Sequence, residues 1–276
     1  MIRRIESAII HAARGPDRFE REVPALLRQA IDEVIDSKRS GRFTLGELEK
    51  TELTYIGTKV EILLRNFLKL DRGDKLDLSI DGIEVDVKNT VRSQWTIPLE
   101  AMGHPCILIR AQEQTALCWF GLLVISEPYL NKGKNRDQKR TIAELGKKNI
   151  RWLLEAAPYP QNFWEQIRAE ERNSIISPRG GTDRIAALFT TIQKQRISRN
   201  VVEALAQQKD YMKRIRRNGG ARDILSPRGI AILWGKKDRS LIRELGLPFC
   251  TNSEFISFKP VEEDHVALLR NAGHID

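Results

Sequence analysis

The stretch Lys75–Lys88, KLDLSIDGIEVDVK, alternates apolar and polar residues on both sides of Asp81-Gly82. An Asp-Gly pair favours a two-residue type I′ turn, because both central residues must take positive φ. The register follows from the turn: Ile80 faces Ile83, Ser79 faces Glu84, Leu78 faces Val85, Asp77 faces Asp86 and Leu76 faces Val87. One face is then Leu76, Leu78, Ile80, Ile83, Val85 and Val87, which must be buried. The other carries Asp77, Ser79, Glu84, Asp86 and Lys88. Carboxylates directly opposed across two strands, with Cβ atoms about 4.5–5.5 Å apart, destabilise the pair. A hard divalent cation offsets that repulsion, since Mg²⁺ is held by one or two carboxylates together with phosphate and water. Lys88 lies two residues beyond Asp86 on the same face, where an ammonium can stabilise a pentavalent phosphate or hold an attacking water. On this stretch alone a plain amphipathic hairpin with a solvated polar face stays open, and a bulge would shift every pair by one.

Before the hairpin, REVPALLRQAIDEVIDSKRSG has the apolar spacing of an amphipathic helix. TYIGTKVEILLRNFLKL places Val60, Leu63, Leu64, Phe67 and Leu68 on one helical stripe. Thr58 is the expected cap of that helix, and Glu61 then lies in its first turn, where the helix dipole favours an acid. After the hairpin, PCILIRAQ (105–112) and ALCWFGLLVI (116–125) are continuous apolar runs and read as buried central strands. NKGKNRDQKR (131–140) reads as a basic loop or the start of a helix, and 141–157 as a helix broken near Gly146. The expected fold is α/β, with a mixed-sheet domain over 1–170.

The breakers PYPQ (158–161) and SPRGGTD (177–183) bracket the expected domain boundary. A mainly α domain over 171–276 follows. Thr182 is the expected cap of a helix from about 183 to 193, and Ser198 of a second over RNVVEALAQ. Asp210 is the expected cap of a basic helix, DYMKRIRR. ARDILSPRGIAILWGK suggests two short strands around Pro227-Arg228-Gly229. Helices, a basic helix and a hairpin in that order describe a winged helix-turn-helix.

The charge supports that division. The chain carries a formal net charge of +9, with 27 Lys+Arg against 25 Asp+Glu in 1–170 but 19 against 12 in 171–276. A basic module of this kind points to nucleic acid, although a merely basic surface stays open. The three cysteines, Cys106, Cys118 and Cys250, have no paired spacing, which argues against structural zinc and a disulfide framework. The N-terminal MIRRIESAIIHAARG lacks the apolar core of a signal peptide, and no apolar run approaches a membrane span, so the expected location is the cytoplasm.

Glu61, Asp77, Asp86 and Lys88 form a helix-acid, strand-acid, D-x-K set that resembles the PD-(D/E)XK nuclease superfamily, whose core is a helix followed by a β-meander. GTKVEILLRNFL, LDLSIDGIEVDVKNT, QWTIPLEA, AQQKDYMKRIRRNGGAR and AILWGK together resemble the NaeI family of type II restriction endonucleases. The resemblance implies a homodimer that depends on Mg²⁺ and cleaves both strands of DNA at a short palindrome. It also implies a catalytic N-terminal domain and a C-terminal winged-helix domain related to CAP-type DNA binders, which takes a second, effector copy of the site. By the same resemblance Asp77 and Asp86 are metal ligands. Glu61 acts through water or as an additional ligand, Lys88 orients or activates the water, and hydrolysis leaves a 5′-phosphate.

Asn89, Arg92 and Gln94, in NTVRSQW after the catalytic strand, carry donors and acceptors suited to base edges, or are ordinary loop polars. Trp95 reads as packing. Lys209, Lys213, Arg214, Arg216 and Arg217 cluster around the expected recognition helix, with phosphate contact the role for most. Two other functions compete. One is a MutH-like nicking endonuclease, which shares a G-x-x-V-E helix but favours E-x-K. The other is a non-catalytic winged-helix regulator, against which the intact four-residue set argues.

Overall fold

The computed structural model describes residues 1–208 and 210–276. The chain divides into two compact units, Met1–Ile35 with Thr44–Glu165, and Asp36–Phe43 with Gln166–Asp276.

The first unit opens with helices α1 (Ile2–Ala12) and α2 (Pro16–Ile35), whose buried faces follow helical spacing. The short helix α3 (Ser37–Ser40) belongs to the second unit. Helix α4 (Lys50–Leu68) starts earlier than Thr58. Glu49 and Glu52 form a capping box, with the Glu52 carboxylate accepting the Glu49 N–H at 2.9 Å. Thr58 is therefore interior and Glu61 is well past the first turn. The helix tolerates Gly57 because Ile56, Val60, Leu64 and Leu68 are buried on one stripe.

The strand β1 (Asp71–Arg72) precedes the hairpin of β2 (Leu78–Ile80) and β3 (Ile83–Thr90), and beyond β4 (Thr96–Ile97) come β5 (Pro105–Gln112) and β6 (Leu117–Val124). Strands β7 (Leu130–Lys134) and β8 (Arg140–Ile142) form a hairpin from the basic 131–140 segment, and β9 (Arg151–Pro158) completes the main sheet. Its order is β1-β2-β3-β5-β6-β9. Only the β3–β5 pair is parallel, so the sheet is mixed. Strands β4, β8 and β7 make a second, small sheet.

Alternation along the strands sends residues to two separate cores. Val85, Val87, Ile107, Ile109, Phe120 and Leu122 pack with α1, α2 and α4. Cys106, Leu108 and Leu123 pack on the other face with Trp95, Ile97, Leu130 and Ile142 of the small-sheet region. The expected helix over 141–157 is corrected. Only α5 (Glu144–Lys148) is helical, and 151–158 is an edge strand paired with β6. Gly121 of β6 has no side chain where Ile150 and Trp152 pack, so tertiary fit overrides the helix preference of WLLEAA.

Beyond α6 (Phe163–Gln166), the second unit contains α7 (Ala169–Ile176), α8 (Gly181–Thr191), β10 (Ile197–Ser198) and α9 (Arg199–Ala206). Ser198 caps α9 as expected, its Oγ accepting the Val201 N–H at 3.4 Å. The cap of α8 is Gly180, and Thr182 is inside the helix. The basic helix is much shorter than expected: α10 spans Met212–Ile215, preceded by Tyr211 rather than Asp210, and Arg216 is extended. The two strands expected around 227–229 are also corrected. Ala221–Leu225 is helix α11, and β11 (Ala231–Trp234) pairs with β12 (Glu254–Phe258) across a segment that holds α12 (Arg239–Glu244). Helix α13 (Glu263–Asn271) follows. The sheet order is β10-β12-β11, all antiparallel. Among the described residues no helix is long and apolar enough to cross a membrane.

Candidate active site

The Asp81-Gly82 turn sets the site. Both residues take positive φ, 51° and 74°, and the ladder pairs Ile80 with Ile83, Ser79 with Glu84 and Leu78 with Val85, without a bulge. The ladder then stops one pair short of Asp77–Asp86. Asp77 turns its carboxylate onto the neighbouring strand, where Oδ2 accepts the Val87 N–H at 2.8 Å. Asp77 and Asp86 are thus brought together partly by side-chain capture. Lys88 Nζ donates to Asp86 Oδ1 at 2.7 Å and lies 3.8 Å from Asp77 Oδ2, so one ammonium serves both acids.

The two carboxylates differ in setting. Asp86 is 4% exposed, at the middle of the sheet, where its backbone is in register with Cys106 of β5. The Cys106 thiol donates to Asp86 Oδ2 at 3.6 Å. Burial holds that thiol well above its ordinary range, which keeps the proton on sulfur. Burial also raises the Asp86 carboxyl above its usual value. Lys88 opposes the shift and Asp77 reinforces it. Glu61 is raised as well, by burial first and then by the charge of Asp77. Its carboxylate has Arg65 at 3.9 Å.

These donors fit a hard divalent cation. Two half- to fully buried carboxylates face one ammonium, which leaves a net negative charge in a poorly solvated place. Both are oxygen donors, and two protein carboxylates suit Mg²⁺, whose remaining positions go to water and phosphate. Among the described residues no three acidic, histidine or cysteine side chains converge as a metal group. Glu61 is an electrostatic neighbour of Asp77.

The family model described as Restriction endonuclease NaeI matches residues 8–267, nearly the whole chain. The chain belongs to the NaeI family of restriction endonucleases. It is 33% identical over 248 residues to the type II restriction enzyme NaeI of Lentzea aerocolonigenes, covering 87% of this chain and 78% of that protein. Its function is accordingly that of a type II restriction endonuclease, a nuclease of a restriction-modification system.

Within this NaeI-family chain the other candidate residues are scattered. Asn89 falls on the opposite face of β3 from Asp86 and Lys88, with Oδ1 buried and without a hydrogen-bond partner among the described residues. Arg92 and Gln94 are exposed in the loop after β3, while Trp95 is buried and its Nε1 donates to the Ile109 carbonyl at 2.8 Å. Lys209 lies outside the described residues. Lys213 and Arg216 are exposed. Arg214 donates to Gln208 at 2.8 Å and to Thr182 at 3.4 Å. Arg217 reaches the Gly273 carbonyl at 2.7 Å and Ser226 Oγ at 3.3 Å. The latter two cations make hydrogen bonds within their own unit. Cys106 is the partner of Asp86 that the motif did not suggest. Its only sequence signal is its place at the start of the apolar run PCILIRAQ, which says core and not site.

Proposed function

We propose that this NaeI-family chain is a Mg²⁺-dependent endonuclease that hydrolyses both strands of duplex DNA at a specific site, with Asp77, Asp86 and Lys88 as its catalytic centre and Glu61 beside it. The observation that carries the reading is the shared ammonium: Lys88 lies within 3.8 Å of both acids at the end of a turn-fixed hairpin. Mg²⁺ held by Asp77 and Asp86 would neutralise charge on the scissile phosphate and polarise it toward attack. The chain's own groups do the rest. Lys88 holds the attacking water in line and stabilises negative charge that develops on the phosphate oxygens. Glu61, partly buried and raised by its surroundings, acts through a water or as an additional ligand. The water oxygen bonds to phosphorus, the P–O3′ bond breaks, and the products are a 5′-phosphate and a 3′-hydroxyl that takes up a proton.

The second unit is the DNA-binding module in this reading. Helices α8, α9 and α11 with the antiparallel β10-β12-β11 sheet support a winged helix. The segment between β11 and β12 would be its wing. Lys236 and Lys237 stand over the Trp234 ring at 5.7 and 5.8 Å, and Arg239 over Phe249 at 5.5 Å, a cationic and aromatic surface suited to nucleic acid. Exposed Lys213 and Arg216 are assigned to phosphates, and Arg92 and Gln94 to the substrate groove. A homodimer with a second, effector DNA site follows from the resemblance.

Digesting a sequenced plasmid with Mg²⁺ tests the whole reading. Linear product is expected, cleaved at recurring positions. Asp86→Ala is expected to abolish cutting while DNA binding in Ca²⁺ persists, and cleavage near the wild-type rate by that variant rejects the site. Nicked circles alone would favour the single-strand activity. Faster cutting of two-site than one-site plasmids is the expected sign of an effector copy, and equal rates reject it.

A further inference from the structure

The polar face of β3 carries three charged groups in alternation: Glu84, Asp86 and Lys88. Asp86 and Lys88 are accounted for by the chemistry. Glu84 is a third charged group on that face, yet its oxygens are not free for a metal or for DNA. Oε1 accepts the Asp74 N–H at 2.8 Å, and Oε2 accepts the Lys75 N–H at 3.1 Å and the Leu76 N–H at 2.8 Å. Three successive backbone donors form an anion-binding concavity of the kind that elsewhere cradles phosphate. Here the chain fills it with its own carboxylate.

The segment so held is the connection between β1 and β2. Arg72 pairs with Leu78 and Asp71 with Ser79, so residues 73–77 must reverse the chain in a tight loop. That loop has no regular ladder, and its last residue is Asp77. Gly73 shows how close the loop is drawn in. A Cβ there would lie 2.5 Å from the Leu76 carbonyl oxygen and 2.6 Å from Glu84 Oε2. A side chain at 73 is thus incompatible with the clamp as built. The downstream end of the loop is tied too, by the Val87 N–H on Asp77 Oδ2.

We propose that Glu84 is a positioning residue of the active site: by gathering the N–H groups of Asp74, Lys75 and Leu76 it sets Asp77 against Asp86, so that one strand carries one acid and fixes the place of the other. The consequence is a mechanical link. β3 thus contributes to the spacing between the two carboxylates at three points: the Glu84 clamp, Asp86 on its backbone and the Val87 N–H on Asp77. Charge-assisted bonds to backbone N–H groups are strong enough for this task, and geometry errors in groups that orient metal ligands are costly. The inference rests on the reading of Asp77 and Asp86 as a cation site.

The test compares Glu84→Ala, Glu84→Gln and Gly73→Ala in the full-length protein, with Asp86→Ala as a control. Three measurements are made: steady-state cleavage of a plasmid, Ca²⁺ binding by calorimetry, and thermal melting. Glu84→Ala is expected to lose roughly 10- to 100-fold in kcat and to bind Ca²⁺ more weakly, with KM for DNA little changed. Glu84→Gln, which keeps one accepting oxygen, is expected to fall between it and wild type. Gly73→Ala, which crowds the same loop with Glu84 intact, is expected to resemble Glu84→Ala. A folded Glu84→Ala with wild-type kcat and Ca²⁺ affinity overturns the clamp. If Glu84→Ala does not fold, a folded Glu84→Gln or Gly73→Ala with both quantities at wild-type level overturns it equally. The control separates the two claims. Active Asp86→Ala means that the cation site itself is misassigned, whereas inactive Asp86→Ala beside wild-type Glu84 variants removes only the clamp.

Discussion

Two charged segments of this chain look equally purposeful in sequence and turn out differently. In the hairpin 75–88 the acids Asp77 and Asp86 and the cation Lys88 meet within hydrogen-bonding or ion-pair range. In the segment 210–217 the cations disperse: Arg214 and Arg217 turn to Gln208, Thr182, Ser226 and the Gly273 carbonyl, while Lys213 and Arg216 stay exposed. The difference is one of constraint. A two-residue turn fixes which residues lie across from one another, and strand alternation fixes which face they take. A helix of four residues, Met212–Ile215, fixes neither, and a guanidinium on a long stem goes wherever acceptors are found. Charge spacing is informative where the backbone is in register and weak where it is not.

Substitutions can sharpen or break that contrast. The largest effect is expected in the hairpin, where Lys88→Met should lower the cleavage rate by about 10²- to 10³-fold without loss of DNA binding, read from single-turnover kinetics. A rate within a few-fold of wild type would place Lys88 outside the chemistry. Glu61→Gln should cost less, about 10- to 100-fold, on the reading that Glu61 stands beside the centre and acts through a water. In the other segment the effects should separate by residue. Arg217→Ala should lower the melting stability by about 1–2 kcal/mol through two lost internal hydrogen bonds, with the salt dependence of DNA binding unchanged. Arg216→Ala should do the opposite, leaving stability alone and reducing the logarithmic salt slope by about 1. If Arg217→Ala changes the salt slope instead, its inward contacts do not describe its role.

A smaller effect concerns acid. Burial raises the Asp238 carboxyl, but hydrogen bonds from His274 and from the Trp234 N–H outweigh it and hold the carboxyl below its ordinary value of 3.8. A depressed folded-state value means stability that is complete above pH 3.8 and is lost as pH falls through the lower folded value. Asp238→Asn should flatten the acid limb of the second unit's melting profile between those points, and an unchanged limb would contradict the assignment.

Much of the first unit was legible. The register from Ile80–Ile83 to Leu78–Val85, the buried strands at 105–112 and 117–124 and the helix before the hairpin all follow from turn chemistry and apolar period. The errors share a cause. WLLEAA has helix-forming residues, yet β6 offers an unpaired edge and Gly121 offers room for Trp152, so the segment extends. ARDIL lies next to the strand AILW in sequence and so suggests a local hairpin, but the partner of β11 is Glu254–Phe258, a long way on in the chain. The start of α4 lies well before Thr58 because Glu49 and Glu52 cap it through carboxylates, a weaker sequence signal than a threonine.

The sequence by itself determined the turn, the pairing next to it and the face shared by Asp86 and Lys88, because those depend on neighbours a few residues apart. Only the tertiary structure decided that the ladder ends before Asp77, that Glu84 gathers three backbone N–H groups around it, and that the Cys106 thiol donates a hydrogen bond to Asp86. Each of those depends on an unpaired donor finding the nearest acceptor. Which acceptor is nearest is set by the packing of strands and loops, not by spacing along the chain.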